Sequence, residues 1–392
     1  MEASIFISGL FHLPIVCEAL SDAGLSPVIH SSYPKFRLKK RLTQNYQINS
    51  YPRKEVLARL PNIFFKDKPL ALSHIFQRDT KKSIERLDSA LAIGWAGHSL
   101  DLLVTSEAKN IPVILERGST HIIWQRDRLL EAYDAAGIRP NMKLIPTEAY
   151  IEAEMLEYEK ASLIHVPSQF CADSFAPYLD KKAQRKIRIT RYGFDLPAPS
   201  RPRQTAIKNR PLKIGFAGTL SVRKGFFDYC WLANEIDAKQ ATFEAVGRQD
   251  EDSKTILKLY KTPITLEPSL SRTGLLDRLS EWDILILPSF EEGLAMIIPE
   301  ALSQNTVVIA SDVSGASEYI ENGKTGFIFE HGNRQELKEI VAKLIDSPEK
   351  VVDIQQGLLE NNLQESDAQH YLDTYADSIR ELLGNEPFND RT

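Results

Sequence analysis

The sequence has little cysteine, no excess of positive charge and no long hydrophobic run. Its three cysteines, Cys17, Cys171 and Cys230, lie far apart and form no CxxC pair. This spacing fits neither a disulfide-bonded scaffold nor a zinc ribbon, and it is typical of a reducing compartment. No stretch approaches the ~20 apolar residues of a membrane-spanning helix, and the first residues lack the basic segment of a secretory signal. We therefore expect a cytoplasmic chain.

The overall charge argues against nucleic acid as a partner. The formal net charge is −5 at pH 7, which gives no general attraction for a polyanion. One segment is strongly basic: KFRLKKR, from Lys35 to Arg41, carries five basic residues in seven positions. Such a run can hold anionic lipid head groups, although a solvated basic loop or helix has the same composition.

Strand-length apolar runs alternate regularly with helical segments along the chain. The pattern begins with a strand at residues 4–8 (SIFIS), a helix at 13–23 and a further strand near Val28. It continues with predicted strands at 89–93, 112–115, 162–168, 213–217, 242–247, 264–270, 282–287 and 306–311. This alternation indicates an α/β protein with parallel sheets.

A proline-rich stretch interrupts the alternation and predicts a domain boundary. Residues 196–211 (LPAPSRPRQTAIKNRP) contain four prolines and no apolar periodicity, as expected of a linker. The chain has 392 residues, 43% of them hydrophobic, which is enough for two cores. We predict a first domain at 1–196, a linker at 197–211 and a second domain at 212–367.

The most informative stretch is PSFEEGLAMIIPEAL, at residues 288–302. It follows a buried-strand pattern at 282–287 (WDILIL) and contains two carboxylates, Glu292 and Glu300, eight positions apart. Pro299 lacks an amide hydrogen and fits best in a first helical turn, so a helix is expected to begin shortly before it. A strand end, a tight loop and a helix N-terminus together make an anion site at the edge of an open α/β sheet.

These residues resemble the E-x7-E motif of the retaining family 4 glycosyltransferases, the glycosyl transferases of group 1. Two more segments are similar to the same family in the right order: KIGFAGTLSVRKGFF at 213–227 resembles its strand, glycine loop and Lys-Gly pair, and DVSGASEYIENGKTGFIF at 312–329 resembles its closing segment. The specific likeness covers residues 212–330. It implies the GT-B fold, an α/β architecture of two Rossmann-like domains that face each other across a cleft, with a final helix at about 368–385 crossing back to the first domain.

The resemblance also implies a donor site for a nucleotide diphosphate sugar in the second domain. Cationic side chains and free loop amides would stabilise the departing diphosphate, Glu300 would accept the ribose hydroxyls, and Glu292 would hold the transferred sugar as a catalytic residue. Backbone groups near residues 268–270 would lie against the nucleotide base. The residues implied for donor binding are Gly218, Thr219, Arg223, Lys224, Pro268, Leu270, Gly293, Leu294, Ala295, Met296 and Glu300.

The sequence departs from the family pattern at two donor positions. Ala295 stands where the family usually has glycine, which narrows the room for the donor sugar or phosphate. Thr219 stands where many members have an arginine, and we expect Arg223 to substitute for it. Arg223 and Lys224 would also fit an ordinary first helical turn at the surface.

On the acceptor side the resemblance implies Gly9 and His98. Many family members place a histidine after the strand that corresponds to residues 112–115; here Arg117 lies nearest that position and His121 follows it. Either Arg117 and His121 share the catalytic role of that histidine, or the acceptor differs from that of the family. For His98 and His121, a hydrogen-bonded histidine at the edge of a core explains the sequence equally well.

Together these features predict a retaining hexosyltransferase that uses a UDP- or GDP-sugar donor and needs no metal or other cofactor. Its acceptor would be a glycan or a lipid-linked glycan, in cell-surface polysaccharide or glycoconjugate synthesis. A lipid-linked acceptor would bring the basic segment from Lys35 to Arg41 to the inner face of the membrane. Two alternatives remain: a GT-B nucleotide-sugar epimerase, and a non-catalytic protein that binds sugar nucleotides.

Overall fold

The computed structural model describes residues 1–61, 64–65, 67–192, 207, 210–360 and 367–384. Most of the predicted linker at 197–211 lies outside the described residues. The chain divides into two units: the first contains Met1–Ile123, Met142–Phe194 and Asp367–Thr392, and the second contains Trp124–Asn141 and Asp195–Ser366.

The strands are short and mostly buried, as expected of parallel strands covered on both faces. In chain order they are β1 (Glu2–Ile7), β2 (Ser26–Ser31), β3 (Gln47–Ser50), β4 (Leu91–Trp95), β5 (Val113–Glu116), β6 (Leu163–Val166), β7 (Ile187–Ile189), β8 (Leu212–Ala217), β9 (Ala241–Val246), β10 (Thr265–Glu267), β11 (Ile284–Leu287), β12 (Val307–Ser311) and β13 (Gly326–Phe329).

Helices connect these strands and pack on the sheets. In chain order they are α1 (Leu13–Asp22), α2 (Lys35–Lys39), α3 (Arg53–Leu57), α4 (Lys68–Glu85), α5 (Leu100–Ala108), α6 (Ile122–Ala136), α7 (Glu148–Lys160), α8 (Gln169–Phe175), α9 (Lys181–Gln184), α10 (Phe226–Glu235), α11 (Ser253–Tyr260), α12 (Arg272–Glu281), α13 (Ile297–Ser303), α14 (Arg334–Asp346), α15 (Pro348–Glu360) and α16 (Asp367–Leu383).

Each unit is built on one parallel sheet with the doubly wound strand order. The first sheet runs β3-β2-β1-β4-β5-β6-β7 and the second runs β10-β9-β8-β11-β12-β13. In both, the chain reverses direction next to the strand that opens the unit, β1 or β8, and ligands of such sheets bind at the carboxyl ends of the strands near this reversal. The predicted α/β fold with two Rossmann-like units is confirmed.

The last helix, α16, packs on the first unit. Tyr371, Tyr375 and Ile379 lie one helical turn apart, are buried, and join the same core as Leu13 and Leu20 of α1. The predicted return of the chain end therefore rests on an apolar stripe that was visible in the sequence.

Glu116, at the end of β5, fixes α16 to the sheet of this unit. Its carboxylate accepts a hydrogen bond from the Tyr375 hydroxyl, and it lies 2.9 Å from His12 Nε2 and 3.4 Å from His165 Nδ1. His165 Nε2 is in turn 2.9 Å from Ser378 Oγ of the same helix. Burial alone would raise the pKa of Glu116, but the hydrogen bonds from His12 and His165 lower it to about 2. The carboxylate is therefore a charged anchor.

One segment that was predicted to lie in the first domain belongs to the second unit. Residues 124–141, which the sequence analysis assigned to the first domain, group with the second unit. The Tyr133 hydroxyl donates to Asp252, and the amide of the Asn141 side chain donates to Glu251 at 2.9 Å. The boundary at 1–196 was therefore too simple, because residues 124–141, which include most of α6, make these contacts within the second unit.

Candidate functional site

The loop after β11 carries the two motif carboxylates in the second unit. As predicted, the buried strand ends at Leu287 and the following helix, α13, begins at Ile297. Pro299 is the third residue of that helix, where its missing amide hydrogen costs nothing. Glu292 lies in the loop, and Glu300 lies in the first turn.

Gly225, in the loop after β8, allows this loop to pack closely against the loop after β11. Gly225 has φ 64°, and a Cβ added there would lie 1.7 Å from the carbonyl oxygen of Pro288. The Phe290 amide donates to the Arg223 carbonyl at 2.9 Å, which joins the two loops directly. The Lys-Gly pair of the sequence therefore has a steric reason: only glycine permits the approach that places Lys224 beside Glu292.

Two cations and two carboxylates meet where these loops join. Lys224 Nζ pairs with Glu292 Oε1, and Arg223 Nη1 lies 3.4 Å from the same oxygen. Arg223 Nη1 also donates to the Glu291 carbonyl at 2.8 Å and lies 3.4 Å from Glu291 Oε2. The side chains of Lys224 and Glu292 are 14% and 10% exposed, so their pair is largely shielded from water.

Burial and charge act in opposite directions on this cluster. Burial raises the pKa of Glu292, but Arg223 and Lys224 outweigh it and hold the pKa below its usual value. Burial lowers the pKa of Lys224, and Glu292 compensates only in part. Glu292 raises the pKa of Arg223, burial opposes this, and Glu291 adds to the rise, so that the pKa stays above its usual value. An anionic ligand beside Lys224 would favour its charged form, as expected of a phosphate-binding lysine.

Glu291 was missed by the sequence analysis, although it is adjacent to the motif residue. Its side chain has no exposed surface, and it also accepts a hydrogen bond from Gln125 Nε2 at 3.3 Å. Gln125 comes from the segment 124–141 that groups with the second unit. Local spacing gave no signal for this contact, because its partner lies more than 160 residues away.

Glu300 points to a different neighbour. Its Oε1 lies 3.6 Å from Nε of Arg272, the first residue of α12. Burial raises the pKa of Glu300, and Arg272 opposes this only partly. Leu270, two residues before Arg272, is exposed. The structure thus brings Glu300 to the segment 268–272, which the sequence analysis linked to the nucleoside.

The loop amides are only partly available, which corrects one expectation. Ala295 was expected to present a free amide, but that amide donates to the Ser314 carbonyl at 3.1 Å. The amides of Leu294 and Met296 have no acceptor within the described part of the chain. The side chains of Leu294 and Ala295 are buried, so these two positions can act on a ligand only through the backbone. Gly293 packs closely against Gly315.

Gly218 and Thr219 follow β8 and lie beside the same cluster. Gly218 has φ 137°, and the nearest atom to a Cβ added there is Lys224 Cε, at 3.9 Å. Its carbonyl lies so close to Gly247 that a Cβ at 247 would be 1.6 Å away. The backbone at 218–219 is therefore held near Lys224 by two glycines.

In the first unit, His121 is a core residue, which corrects its predicted catalytic role. The side chain has no exposed surface. Its ring stacks on Tyr178 at 4.4 Å between centroids and meets Phe175 edge-on at 5.0 Å. Burial, with the nearby charge of Arg117, lowers the pKa of His121 to about 3. A neutral ring enclosed in this way cannot contact a substrate.

Arg117 is also held by its surroundings. Its Nε and Nη2 donate to the Thr120 carbonyl at 2.9 and 2.7 Å, and its Nη1 lies 3.3 Å from Glu154 Oε1. The side chain is 11% exposed. These contacts hold the Arg117 side chain to the turn after β5 and to α7, and its catalytic role stays a prediction.

The two acceptor-side residues lie near a lysine that the sequence analysis did not select. Lys54 Nζ donates to the Ser8 carbonyl at 3.1 Å, next to Gly9, and its charge acts on His98. Burial, followed by Lys54, lowers the pKa of His98 to about 3. A Cβ added to Gly9 would lie 2.5 Å from the Phe11 ring. Gly9 and His98 thus share one neighbourhood at the carboxyl ends of β1 and β4.

Three buried histidines predict that the protein loses stability in acid. Burial lowers the pKa of His30 to about 4 and those of His98 and His121 to about 3. The unfolded chain binds protons on these groups below pH ~6.5, whereas the folded chain does not. Stability from each histidine is therefore complete above pH ~6.5 and falls by up to about 1.4 kcal/mol per pH unit as the pH drops towards the folded pKa.

Urea unfolding at pH 7, 6 and 5 tests this expectation. Glu157 acts in the opposite direction, because burial raises its pKa to about 8, so the comparison is between wild type and His121→Phe. We expect the variant to lose less stability than wild type between pH 7 and 5. An equal loss in both proteins would show that His121 is not among the groups responsible.

Within the described residues, no group of three or more His, Cys, Asp or Glu side chains is arranged to hold a metal ion. Over the same residues, no helix has both the length and the apolar character to cross a bilayer. The basic segment forms α2 (Lys35–Lys39), whose Phe36 is 63% exposed beside its lysines.

Residues 199–357 match the family model described as "Glycosyl transferases group 1". Among curated proteins, the chain is 25% identical over 195 residues to the alpha-D-kanosaminyltransferase of Streptomyces kanamyceticus, covering 48% of this chain and 47% of that protein. It is also 25% identical over 179 residues to the N,N'-diacetylbacillosaminyl-diphospho-undecaprenol alpha-1,3-N-acetylgalactosaminyltransferase of Campylobacter jejuni, covering 45% and 47%. The matches thus span about half of each relative.

Among solved structures, Anabaena HepE in complex with UDP-glucose is similar over 98% of this chain and 99% of its own, with a TM-score of 0.62 and 17% identity. Identity at this level carries the fold alone. The likeness extends over both units, whereas the family match covers only the second.

Proposed function

We propose that the chain is a retaining glycosyltransferase that moves a hexose-type sugar from a nucleoside diphosphate donor to a glycan or lipid-linked acceptor. The observation that carries this proposal is the pairing of Lys224 and Arg223 with Glu292 at the junction of the loops after β8 and β11. Cations and a carboxylate held together at the carboxyl ends of neighbouring parallel strands suit a ligand that is both a diphosphate and a sugar. The group 1 family match over this unit supports the same conclusion.

Each residue of the cluster has a physical task in this proposal. When the bond to the leaving diphosphate breaks, negative charge grows on the phosphate oxygens, and Lys224 and Arg223 stabilise that charge more in the transition state than before it. Glu292 orients Lys224 in the free protein and accepts hydrogen bonds from sugar hydroxyls when the donor is bound. Because two side chains supply positive charge here, the proposal assigns no metal or other cofactor.

Glu300 would bind the nucleoside end of the donor. It lies at the start of α13, beside the segment that ends at Arg272, and its carboxylate can accept both hydroxyls of a ribose. The exposed Leu270 offers an apolar surface to a base. HepE was crystallised with UDP-glucose, and this supports a UDP-sugar donor, with a GDP-sugar as the other candidate.

The acceptor is proposed to be an oligosaccharide or a lipid-linked glycan of a cell-surface polymer. The Campylobacter relative is named for an undecaprenol-linked substrate, and α2 presents lysines beside an exposed phenylalanine. A helix of this composition can rest on an anionic lipid surface. We propose peripheral contact with the membrane through this segment.

The deciding experiment measures free nucleotide released from UDP-glucose, UDP-N-acetylglucosamine, UDP-galactose and GDP-mannose, each with and without acceptor lipid from cells. We expect one donor to be consumed much faster when acceptor is present, and the product to keep the anomeric configuration of the donor by NMR. Nucleotide release that is the same with and without acceptor for every donor would contradict the proposal. An inverted product would overturn the retaining mechanism.

Glu300→Gln tests the role of Glu300 in donor binding. We expect the KM for the donor to rise by about tenfold, because a hydrogen bond to a charged group contributes roughly 1.5–3 kcal/mol. The matched control is Glu235→Gln, which changes a carboxylate of the same unit that pairs with Lys338 at the surface. An unchanged KM in both variants would remove Glu300 from the donor site.

A further inference from the structure

A cavity of about 470 Å³ opens among α4, α5 and α7 of the first unit. Its volume is within the range of small-molecule sites, which is about 300–1,000 Å³. None of the residues assigned to donor or acceptor above lines it. Its walls come from one face of α4, from the start of α5 and from one face of α7, so three elements of a single unit define it.

The wall on α4 is a polar stripe at helical spacing. Ser73, His74, Gln77, Arg78 and Lys81 all line the cavity. Ser73 and Gln77 are buried, whereas His74, Arg78 and Lys81 are exposed at the mouth. A helix face that turns toward its own protein is usually apolar. A stripe that is polar throughout, buried at Ser73 and Gln77 and exposed at its other positions, suits a polar ligand.

Hydrogen bonds fix this wall in place. Gln77 Oε1 accepts from the Asp101 amide at 2.8 Å, and Gln77 Nε2 donates to Ser73 Oγ at 3.0 Å. The Ser73 hydroxyl is therefore an acceptor for Gln77 and keeps its own hydrogen to donate. Tyr150 and the Asp101 carboxylate also line the cavity, and they add hydrogen-bonding groups of the kind that sugar hydroxyls require.

The floor of the cavity contains a carboxyl group of the protein itself. Glu157 accepts hydrogen bonds from the amides of Gly97 at 2.5 Å and Ser99 at 2.6 Å, at the start of α5. This carboxyl occupies the helix N-terminus, so a ligand phosphate would not bind there. Burial, with the nearby Glu154, raises the pKa of Glu157 to about 8, and the group is therefore largely neutral at pH 7.

Positive charge dominates the mouth. Arg78 has no ion-pair partner among the described residues, and Lys81 lies 3.9 Å from Glu85 with both side chains largely exposed. Asp101 is the one exposed carboxylate of the lining. Two cationic side chains therefore lie beside a concave polar surface. A free phosphate would contact only the cations, and a neutral sugar would contact only the polar surface.

We propose that this cavity binds a phosphorylated sugar or polyol, with Arg78 and Lys81 pairing with the phosphate and with Ser73, Asp101 and Tyr150 bonding to the hydroxyls. The inference uses residues of the first unit only. It therefore stands whether or not the second unit transfers a sugar. The phosphate can belong to a free metabolite or to the head group of a lipid-linked sugar, since both present the same chemistry.

Calorimetric titration of the full chain tests the site with glucose 1-phosphate, N-acetylglucosamine 1-phosphate and inositol 1-phosphate, with glucose and inorganic phosphate as partial probes. We expect at least one of the three phosphorylated probes to bind about tenfold more tightly than glucose or phosphate. Arg78→Ala with Lys81→Ala should weaken this binding by about tenfold or more, because charge-assisted hydrogen bonds are lost. Lys82→Ala with Arg86→Ala, at the C-terminal end of the same helix and outside the cavity, should leave it unchanged.

Two further variants separate the cavity from other sites. Ala153→Phe fills the space between α7 and the polar stripe and should abolish binding at unchanged melting temperature. Lys224→Met, in the second unit, should not affect it. The proposal is overturned if none of the phosphorylated probes binds, if the double alanine variant binds like wild type, or if Lys224→Met removes the binding.

A last comparison identifies the source of the phosphate. N-acetylglucosamine 1-phosphate is titrated beside N-acetylglucosamine linked to a short-chain prenyl diphosphate. Tighter binding of the prenyl probe supports the site and assigns it to a lipid head group, and tighter binding of the free sugar phosphate supports it and assigns it to a metabolite. In both cases Ala153→Phe must remove the signal.

Discussion

Lys224→Met is expected to lower kcat for sugar transfer by about 10²–10³-fold, the loss that follows removal of one preorganised charge-stabilising group. Methionine keeps most of the aliphatic length of lysine and removes the ammonium that pairs with Glu292. The effect should fall mainly on kcat, because the charge on the leaving diphosphate is largest in the transition state. The measurement is steady-state nucleotide release with the preferred donor and acceptor.

The control for this prediction is Lys324→Met. That lysine belongs to the same unit but is 72% exposed and pairs with the exposed Glu321, so its loss should change kcat by less than about twofold. Removal of Lys224 leaves Arg223 paired with Glu292, and a melting curve checks that the variant is folded. A kcat within about threefold of wild type in a folded Lys224→Met protein would refute the assignment.

Glu116→Ala is expected to lower the free energy of unfolding by about 3–5 kcal/mol, because several buried groups lose their acceptor and each unsatisfied group costs about 1–3 kcal/mol. The substitution leaves His12, His165 and the Tyr375 hydroxyl without their shared acceptor. It should also loosen α16, since Tyr375 belongs to that helix. Urea unfolding at pH 7 measures the first effect, and limited proteolysis at the chain end measures the second.

The pH dependence gives this prediction a second test. The pKa of Glu116 is lowered to about 2, so its stabilisation is complete above the ordinary carboxyl pKa of ~4.3 and is lost as the pH falls towards 2. The difference between wild type and Glu116→Ala should therefore shrink in that window. Glu107→Ala, which removes an exposed pair with Lys160, should cost much less stability, because solvent screens such pairs. Equal costs for the two variants would contradict the anchoring role.

Local pattern was sufficient for most of the fold. The apolar runs that form β8 and β11 have the length of a strand and are followed by a glycine and a proline, respectively. Pro299 restricts where α13 can begin. Such signals depend on a few neighbouring residues, which a sequence displays directly. The apolar stripe of α16 belongs to the same class of signal. The strand predicted at 264–270 shortened to β10, Thr265–Glu267, because only that part pairs with β9.

The site was less accessible to prediction, because its contacts join distant parts of the chain. The proximity of Lys224 to Glu292 followed from resemblance to a family, but the roles of Glu291 and Gln125 did not. His121 looked suitable by type and position, and its burial among Tyr178 and Phe175 is set by residues more than fifty positions later. A residue type indicates what chemistry is possible, while only packing decides whether the group is exposed.

Because most of α6 belongs to the second unit, it limits how domains can be exchanged between related proteins. The second unit includes residues 124–141 as well as the chain after 195, and it holds the early segment through Gln125, Tyr133 and Asn141. A chimera spliced once, in the linker, would combine a foreign α6 with this chain's Asp252 and Glu291. A transplant of donor specificity must therefore carry two separate pieces of sequence, and recombination at a single crossover would separate residues that have to match.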